Sequence, residues 1–320
     1  MNPAFSVVFL TTLIGAAQGL LIALVGVEAA TRLGLADGAA VPQLFYVAGA
    51  ALSCVLGVAG LVASFFHLGH PERAWRAIAM WRTSWLSREC LCLPVFLACT
   101  FAYGVAHLLG VNYTLVIGAV AVVASGLLFI CTGMIYACLR FLQEWATPLT
   151  LVNFALLGCA SGFTLATVCA ACLAPALVGP LAALACLLTL LGCASRVASL
   201  KRNAGLRPKS TVQSATGIRN ARVEQKSRGF TAGAFNLREF FHGKTPQTLR
   251  RIKWTFLVAA FAVPFVLVAF VAFGANVWPV GASLVVLCAA AAIQYAGLVA
   301  ERWFFFAEAR HPQNLYYRQA

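Results

Sequence analysis

Between residues 67 and 89 the sequence runs His67-Leu-Gly-His70-Pro-Glu72-Arg73-Ala-Trp75-Arg76, then Trp81-Arg82-Thr-Ser-Trp85, then Leu-Ser87-Arg88-Glu89. Four Arg, two Glu, two His and three Trp fall within these 23 residues, between two apolar stretches. Tryptophan at headgroup depth and arginine on the positive side of a bilayer explain part of this pattern. They explain His67 and Glu89 less well, because each stands where an apolar run ends or begins. An ionisable group at such a boundary is a candidate site. A quinone asks two things of a protein: hydrogen-bond partners for its carbonyls and a supply of protons. Histidine titrates near neutrality and can serve both, and a neighbouring carboxylate can relay protons. The residues alone leave two readings open, an interfacial belt and a quinone or proton site.

Other metal and cofactor ligands are scarce. The twelve cysteines lie inside apolar runs or at their ends, and the one C-x-x-C is Cys169 with Cys172. A zinc or iron–sulfur site needs four converging ligands, so the cysteines are expected to be small apolar groups at helix contacts, with no metal. A bis-histidine haem needs two His at similar depth on facing helices. Of His67, His70, His107, His242 and His311, only His107 falls inside an apolar run. No haem is expected in this chain, and His107 is expected to make a structural hydrogen bond.

The elements that hold these residues follow from the distribution of charge. Of 320 residues, 62% are hydrophobic and 10% charged, against about 25% charged in a soluble domain. A soluble enzyme, a disordered regulator and a nucleic-acid-binding domain are excluded. Charge-free runs cover 1–27, 38–71, 90–139, 145–195 and 254–300. A helix needs about 20 apolar residues to cross the hydrocarbon. The first two runs hold one span each and the longer three hold two each, with Gly, Asn and Pro where tight turns must fall. The expectation is an all-α integral membrane protein of eight transmembrane helices, roughly 5–30, 44–66, 90–109, 114–140, 149–172, 177–198, 254–274 and 279–304. Continuous rather than alternating hydrophobicity argues against a β-barrel.

One side of this bundle carries 22 of the 23 Lys and Arg residues; Arg32 is the exception. Basic residues collect on the cytoplasmic side, giving an inner-membrane topology with both termini inside, in a single membrane domain over 1–320. The first helix has no basic leader and is too long for a cleaved signal. The 199–253 loop holds 13 Lys and Arg against two Glu. It could lie on anionic lipid headgroups. It could equally dock a soluble partner through Arg219, Arg222, Phe235, Arg238, Phe240, Phe241 and His242, where aromatics interrupt the charges. Nucleic acid is not expected as a partner.

The stretch His67-Leu68-Gly69-His70-Pro71-Glu72-Arg73-Ala74 resembles the H-L-G-x-P-x-R-A pattern of the DmsC family, the anchor subunits of three-subunit molybdenum oxidoreductases. Leu86-Ser87-Arg88-Glu89 resembles the family's L-S-x-E, and the eight-helix layout is similar along the whole chain. The resemblance implies quinone binding by His67 and Glu89, with Arg73 orienting the site; His70 falls at a variable position. It further implies an iron–sulfur subunit and a molybdopterin catalytic subunit as partners. Three other stretches, 2–7, Phe235–Gly243 and Glu301–Glu308, resemble anchors of sulfite dehydrogenases that face the cytoplasm. The charge bias agrees with a catalytic pair on that side. The expected function is therefore reduction of a quinone, ubiquinone or menaquinone, with electrons from sulfite. His67 would bond a carbonyl, Glu89 relay protons, Arg73 or Arg76 orient, and Trp75 wall the ring, between the inner ends of helices two and three. The anchor of a polysulfide, tetrathionate or sulfoxide reductase is the alternative within the family. A secondary transporter is the alternative outside it, but transporters carry ionisable groups near the midplane, and this chain has none there.

Overall fold

The computed structural model describes residues 1–34, 41–66, 68–207, 210–224, 241–274, 280–312 and 314. Eight helices among them are long and apolar enough to cross a membrane. They are α1 (Phe5–Arg32), α2 (Gln43–Phe65), α3 (Trp85–Leu108), α4 (Thr114–Ala137), α5 (Pro148–Leu173) and α6 (Val178–Ala204). They continue with α7 (Pro246–Gly274) and α8 (Val280–Glu308). No strand occurs among the described residues.

The helices form two four-membered rings. In the first, α1, α2, α3 and α4 each touch the next and α4 closes on α1; in the second, α5, α6, α7 and α8 do the same. The rings join along α1 and α5. Lipid offers no hydrophobic drive for helices to associate, so close approach depends on small residues. Gly15 and Gly19 on α1 face Gly158 and Gly162 on α5, a four-residue spacing on each helix. A Cβ at Gly162 would lie 2.2 Å from the Gly19 carbonyl carbon, and one at Gly19 would lie 2.2 Å from the Gly158 oxygen. A second close approach sets Gly297 of α8 against a π-helical segment of α7, Val258–Ala262.

Several helices begin earlier or end later than the charge-free runs. α3 starts at Trp85, where the Ser84 side chain accepts from the Ser87 N–H and caps it. α6 continues to Ala204, and α7 starts at Pro246 behind a Thr245 cap. The connection expected over 199–253 is therefore shorter: 199–204 and 246–253 are helical. Lys and Arg stems reach along a helix past the apolar zone, so charge marks the zone and not the helix end.

The basic end of the bundle is closed by an aromatic cluster. Val8 of α1, Leu142 and Trp145 of the α4–α5 turn, Phe154 of α5, and Phe305 and Phe306 of α8 pack together there. Trp145 Nε1 donates to the Phe305 carbonyl at 3.0 Å.

Candidate functional site

Glu89 lies on the buried stripe of α3 that continues through Leu93, Phe96, Thr100, Tyr103 and His107. The i, i+3/i+4 spacing of that stripe turns Glu89 into the bundle. It is 8% exposed. Thr132 of α4 donates its hydroxyl to Glu89 Oε1 at 2.5 Å. The carboxyl borders a cavity of about 10 Å³ lined also by Thr11, Ile14, Gly15, Gln18, Phe129, Thr132 and Phe154. That volume admits about one water molecule. The lining comes from α1, α3, α4 and α5, where the two rings meet. Glu89 turns to α4 and α1, and no described α2 residue lines its cavity. A cavity of that size has no room for a quinone ring beside the carboxyl.

The other expected quinone contacts sit apart from it. His67 lies outside the described residues. Arg73, Trp75 and Arg76 occupy a 3₁₀ helix, Pro71–Ile78, that packs on α3 at the basic end. Trp75 is 69% exposed, and Arg73 pairs loosely with Glu72 at 3.7 Å. The Arg76 guanidinium lies 5.5 Å from the Trp75 ring centre. Arg88 fastens the end of this segment, donating to the Trp81 carbonyl at 2.9 Å and the Arg82 carbonyl at 2.7 Å. The structure thus brings Arg73, Trp75 and Arg76 together on an exposed ledge, with Glu89 buried nearby.

Of the candidate docking residues, Phe235, Arg238 and Phe240 lie outside the described residues. Arg219 and Arg222 are exposed, and Arg222 pairs with Glu224 at 2.6 Å. Phe241 and His242 are half-buried. The His242 ring sits 6.4 Å from Trp303, edge to face. Burial first, then nearby positive charge that includes Lys244, holds the His242 pKa below the ordinary histidine value.

Two ionisable clusters were not singled out from the sequence. At the end opposite the basic face, Glu28 ties α1, α3 and α4. It accepts from Tyr103 at 3.0 Å, from Arg32 Nε at 3.1 Å and from Thr114, and His107 Nε2 lies 3.2 Å away. His107 makes the structural hydrogen bond expected of it. The second cluster lies in the other ring, near the basic end. Arg196 of α6 and Glu301 of α8 are each 1% exposed and Arg302 is 4% exposed. Arg196 Nε stands 2.7 Å from Glu301 Oε1, and its Nη2 stands 3.8 Å from Glu308 Oε2. Arg302 Nε is 3.8 Å from Glu301 Oε2. Arg196 Nε and Glu301 Oε1 form a close ion pair, whereas the two 3.8 Å pairs are too long for hydrogen bonds. Glu301 Oε2, Arg196 Nη2 and Arg302 Nε make no hydrogen bond within the protein. Charges inside otherwise apolar runs were the available signal, but each had served as a mark of where a span stops.

With this geometry in view, the comparisons with known proteins define the class. The family description "DMSO reductase anchor subunit (DmsC)" matches residues 1–296, and the chain belongs to that family. It is similar to a sulfite dehydrogenase subunit of Allochromatium vinosum, with 51% identity over 99% of both chains.

Proposed function

We propose that this chain is the membrane anchor and quinone-reducing subunit of a three-subunit molybdenum enzyme that oxidises sulfite to sulfate. The observation that carries the reading is the identity with a sulfite dehydrogenase subunit along essentially the whole chain. The buried Glu89 carboxyl supports it, as a proton carrier held at the same end of the bundle as the Arg73–Arg76 ledge.

In this reading sulfite and water become sulfate on a molybdopterin subunit, releasing two electrons and two protons. An iron–sulfur subunit docks on the basic end and passes the electrons on. That end faces the cytoplasm in this reading, which the excess of Lys and Arg on it supports, and the chain lies in the inner membrane. Ubiquinone or menaquinone binds at the mouth beside the 67–89 segment. His67 bonds a carbonyl, Arg73 or Arg76 orients the ring, and Trp75 borders it. Glu89 is reached through its water-sized cavity and supplies protons without touching the ring. The 241–245 segment, with Arg219 and Arg222, forms part of the docking platform.

The test is to purify the tagged chain in mild detergent and identify what accompanies it. Molybdenum- and iron-containing subunits that reduce a quinone analogue with sulfite are the expected result. A chain recovered alone, or a complex inert toward sulfite, contradicts the reading.

A further inference from the structure

We propose that Glu308, Arg196, Glu301, Arg302 and Tyr136 form a hydrated proton intake leading from the basic face to Glu89. This rests on the quinone-reducing reading and supplies what it lacks, a route for the protons. Burying three ionisable side chains in apolar surroundings is costly, and ionisable groups inside a membrane bundle are candidates for a proton or ion path. Arg196 Nε and Glu301 Oε1 face each other at 2.7 Å, while Glu301 Oε2, Arg196 Nη2 and Arg302 Nε make no hydrogen bond to protein. Buried polar atoms in that condition take water as partner.

The cluster is continuous from the surface inward. The Glu308 side chain is 20% exposed at the end of α8 and lies 3.8 Å from Arg196, which lies 2.7 Å from Glu301. Arg302 is the next residue on α8, and its guanidinium carbon sits 3.8 Å from the centre of the Phe154 ring. Phe154 is itself a wall of the Glu89 cavity. Tyr136 stands one turn along α4 from Thr132, the hydroxyl partner of Glu89. It stacks on Phe154 with ring centres 5.6 Å apart. The intake therefore crosses from the second ring into the first at the place where the Glu89 cavity lies.

Each residue type has a role its chemistry allows. Glu308 and Glu301 take up and release the proton. The guanidinium groups of Arg196 and Arg302 stay protonated throughout and face these carboxylates at ion-pair distances. The Tyr136 hydroxyl both donates and accepts. For each quinone reduced, two electrons arrive from the reduced iron–sulfur partner and two protons arrive by this path. Both carbonyl oxygens become hydroxyls, and every side chain returns to its starting charge.

The experiment uses membranes carrying the assembled complex with Glu301→Gln, Glu308→Gln and, in parallel, Glu89→Gln. Sulfite oxidation by a soluble one-electron acceptor is expected to stay at the wild-type rate. Quinone-linked turnover is expected to fall at least about tenfold in Glu301→Gln. Its solvent deuterium isotope effect should rise, and millimolar formate should restore part of the rate by carrying protons. A merely structural clamp between α6 and α8 moves neither the isotope effect nor the formate response. If Glu301→Gln does not assemble, Glu308→Gln, at the exposed end, decides by the same two readouts. Full quinone-linked turnover in Glu301→Gln and Glu308→Gln, with Glu89→Gln inactive, overturns the intake alone. Full turnover in Glu89→Gln overturns the quinone reading on which it rests.

Discussion

Thr132 of α4 donates its hydroxyl to the buried carboxyl of Glu89 on α3, fixing that carboxyl at the seam between the two helical rings. The seam is where the close-packed glycines of α1 and α5 bring the rings together. A proton carrier at this place can be served from either ring.

The Thr132 hydroxyl is expected to tune the carrier. Thr132→Val removes the donor at nearly constant volume, and a hydrogen bond to a charged group contributes about 1.5–3 kcal/mol. Quinone-linked turnover should fall about tenfold or more, while Thr132→Ser keeps most of it. Steady-state assays with a quinone analogue and with a soluble acceptor separate this from misassembly. Equal rates for Thr132→Val and wild type would show that Glu89 does not need this partner.

Gly162→Val should disrupt assembly of the rings. The new side chain would meet the Gly19 backbone, which cannot yield as a flexible side chain can. Overpacking of this kind costs about 1–3 kcal/mol or more. Detergent-solubilised protein should unfold at lower temperature and lose its sharp gel-filtration peak. Gly26, where an added Cβ meets nothing within 4 Å, serves as the control through Gly26→Ala.

The Glu28 clamp should matter for stability and not for electron transfer. Glu28→Ala leaves the buried Tyr103 hydroxyl and His107 without their shared acceptor, and a buried polar group left unsatisfied costs about 1–3 kcal/mol. Thermal unfolding should shift down clearly. Whatever complex survives should keep its ratio of quinone-linked to soluble-acceptor activity, because the clamp lies at the far end of the bundle. A changed ratio would give this cluster a part in the chemistry.

His242 should be neutral at pH 7. Its pKa in the folded chain is depressed, so its contact with Trp303 is fully present above the ordinary histidine pKa and is lost as pH falls through the lower folded value. Histidine ring carbon shifts followed by NMR should give a midpoint below 6.5. A midpoint above that value would show that positive charge and burial do not control this ring.

Much of the scaffold is legible in the sequence, because lipid permits few alternatives to long apolar helices. The eight spans follow from charge-free runs, and Glu89 stands out because it is an ionisable group where one begins. The start of α3 at Trp85 was less visible, since it depends on a single Ser84 cap and not on hydropathy. Helix rotation was not visible at all. Nothing in the pattern says that Glu89 faces Thr132 and Gln18 and not α2. Arg196, Glu301 and Arg302 were in plain sight as charges, but reading charge as a boundary hid the fact that helices carry them inside. Their pairing depends on α6 and α8 facing each other across the second ring, which brings together residues about a hundred positions apart.

The most direct measurement compares two activities of the membrane-bound complex carrying Glu89→Gln: sulfite oxidation coupled to a quinone analogue, and sulfite oxidation coupled to a soluble one-electron acceptor. The expected result is loss of the first by about a hundredfold, the scale of a missing proton carrier, with the second unchanged. Wild-type rates in both would mean that this carboxyl delivers no proton and that reduction of the quinone takes place elsewhere.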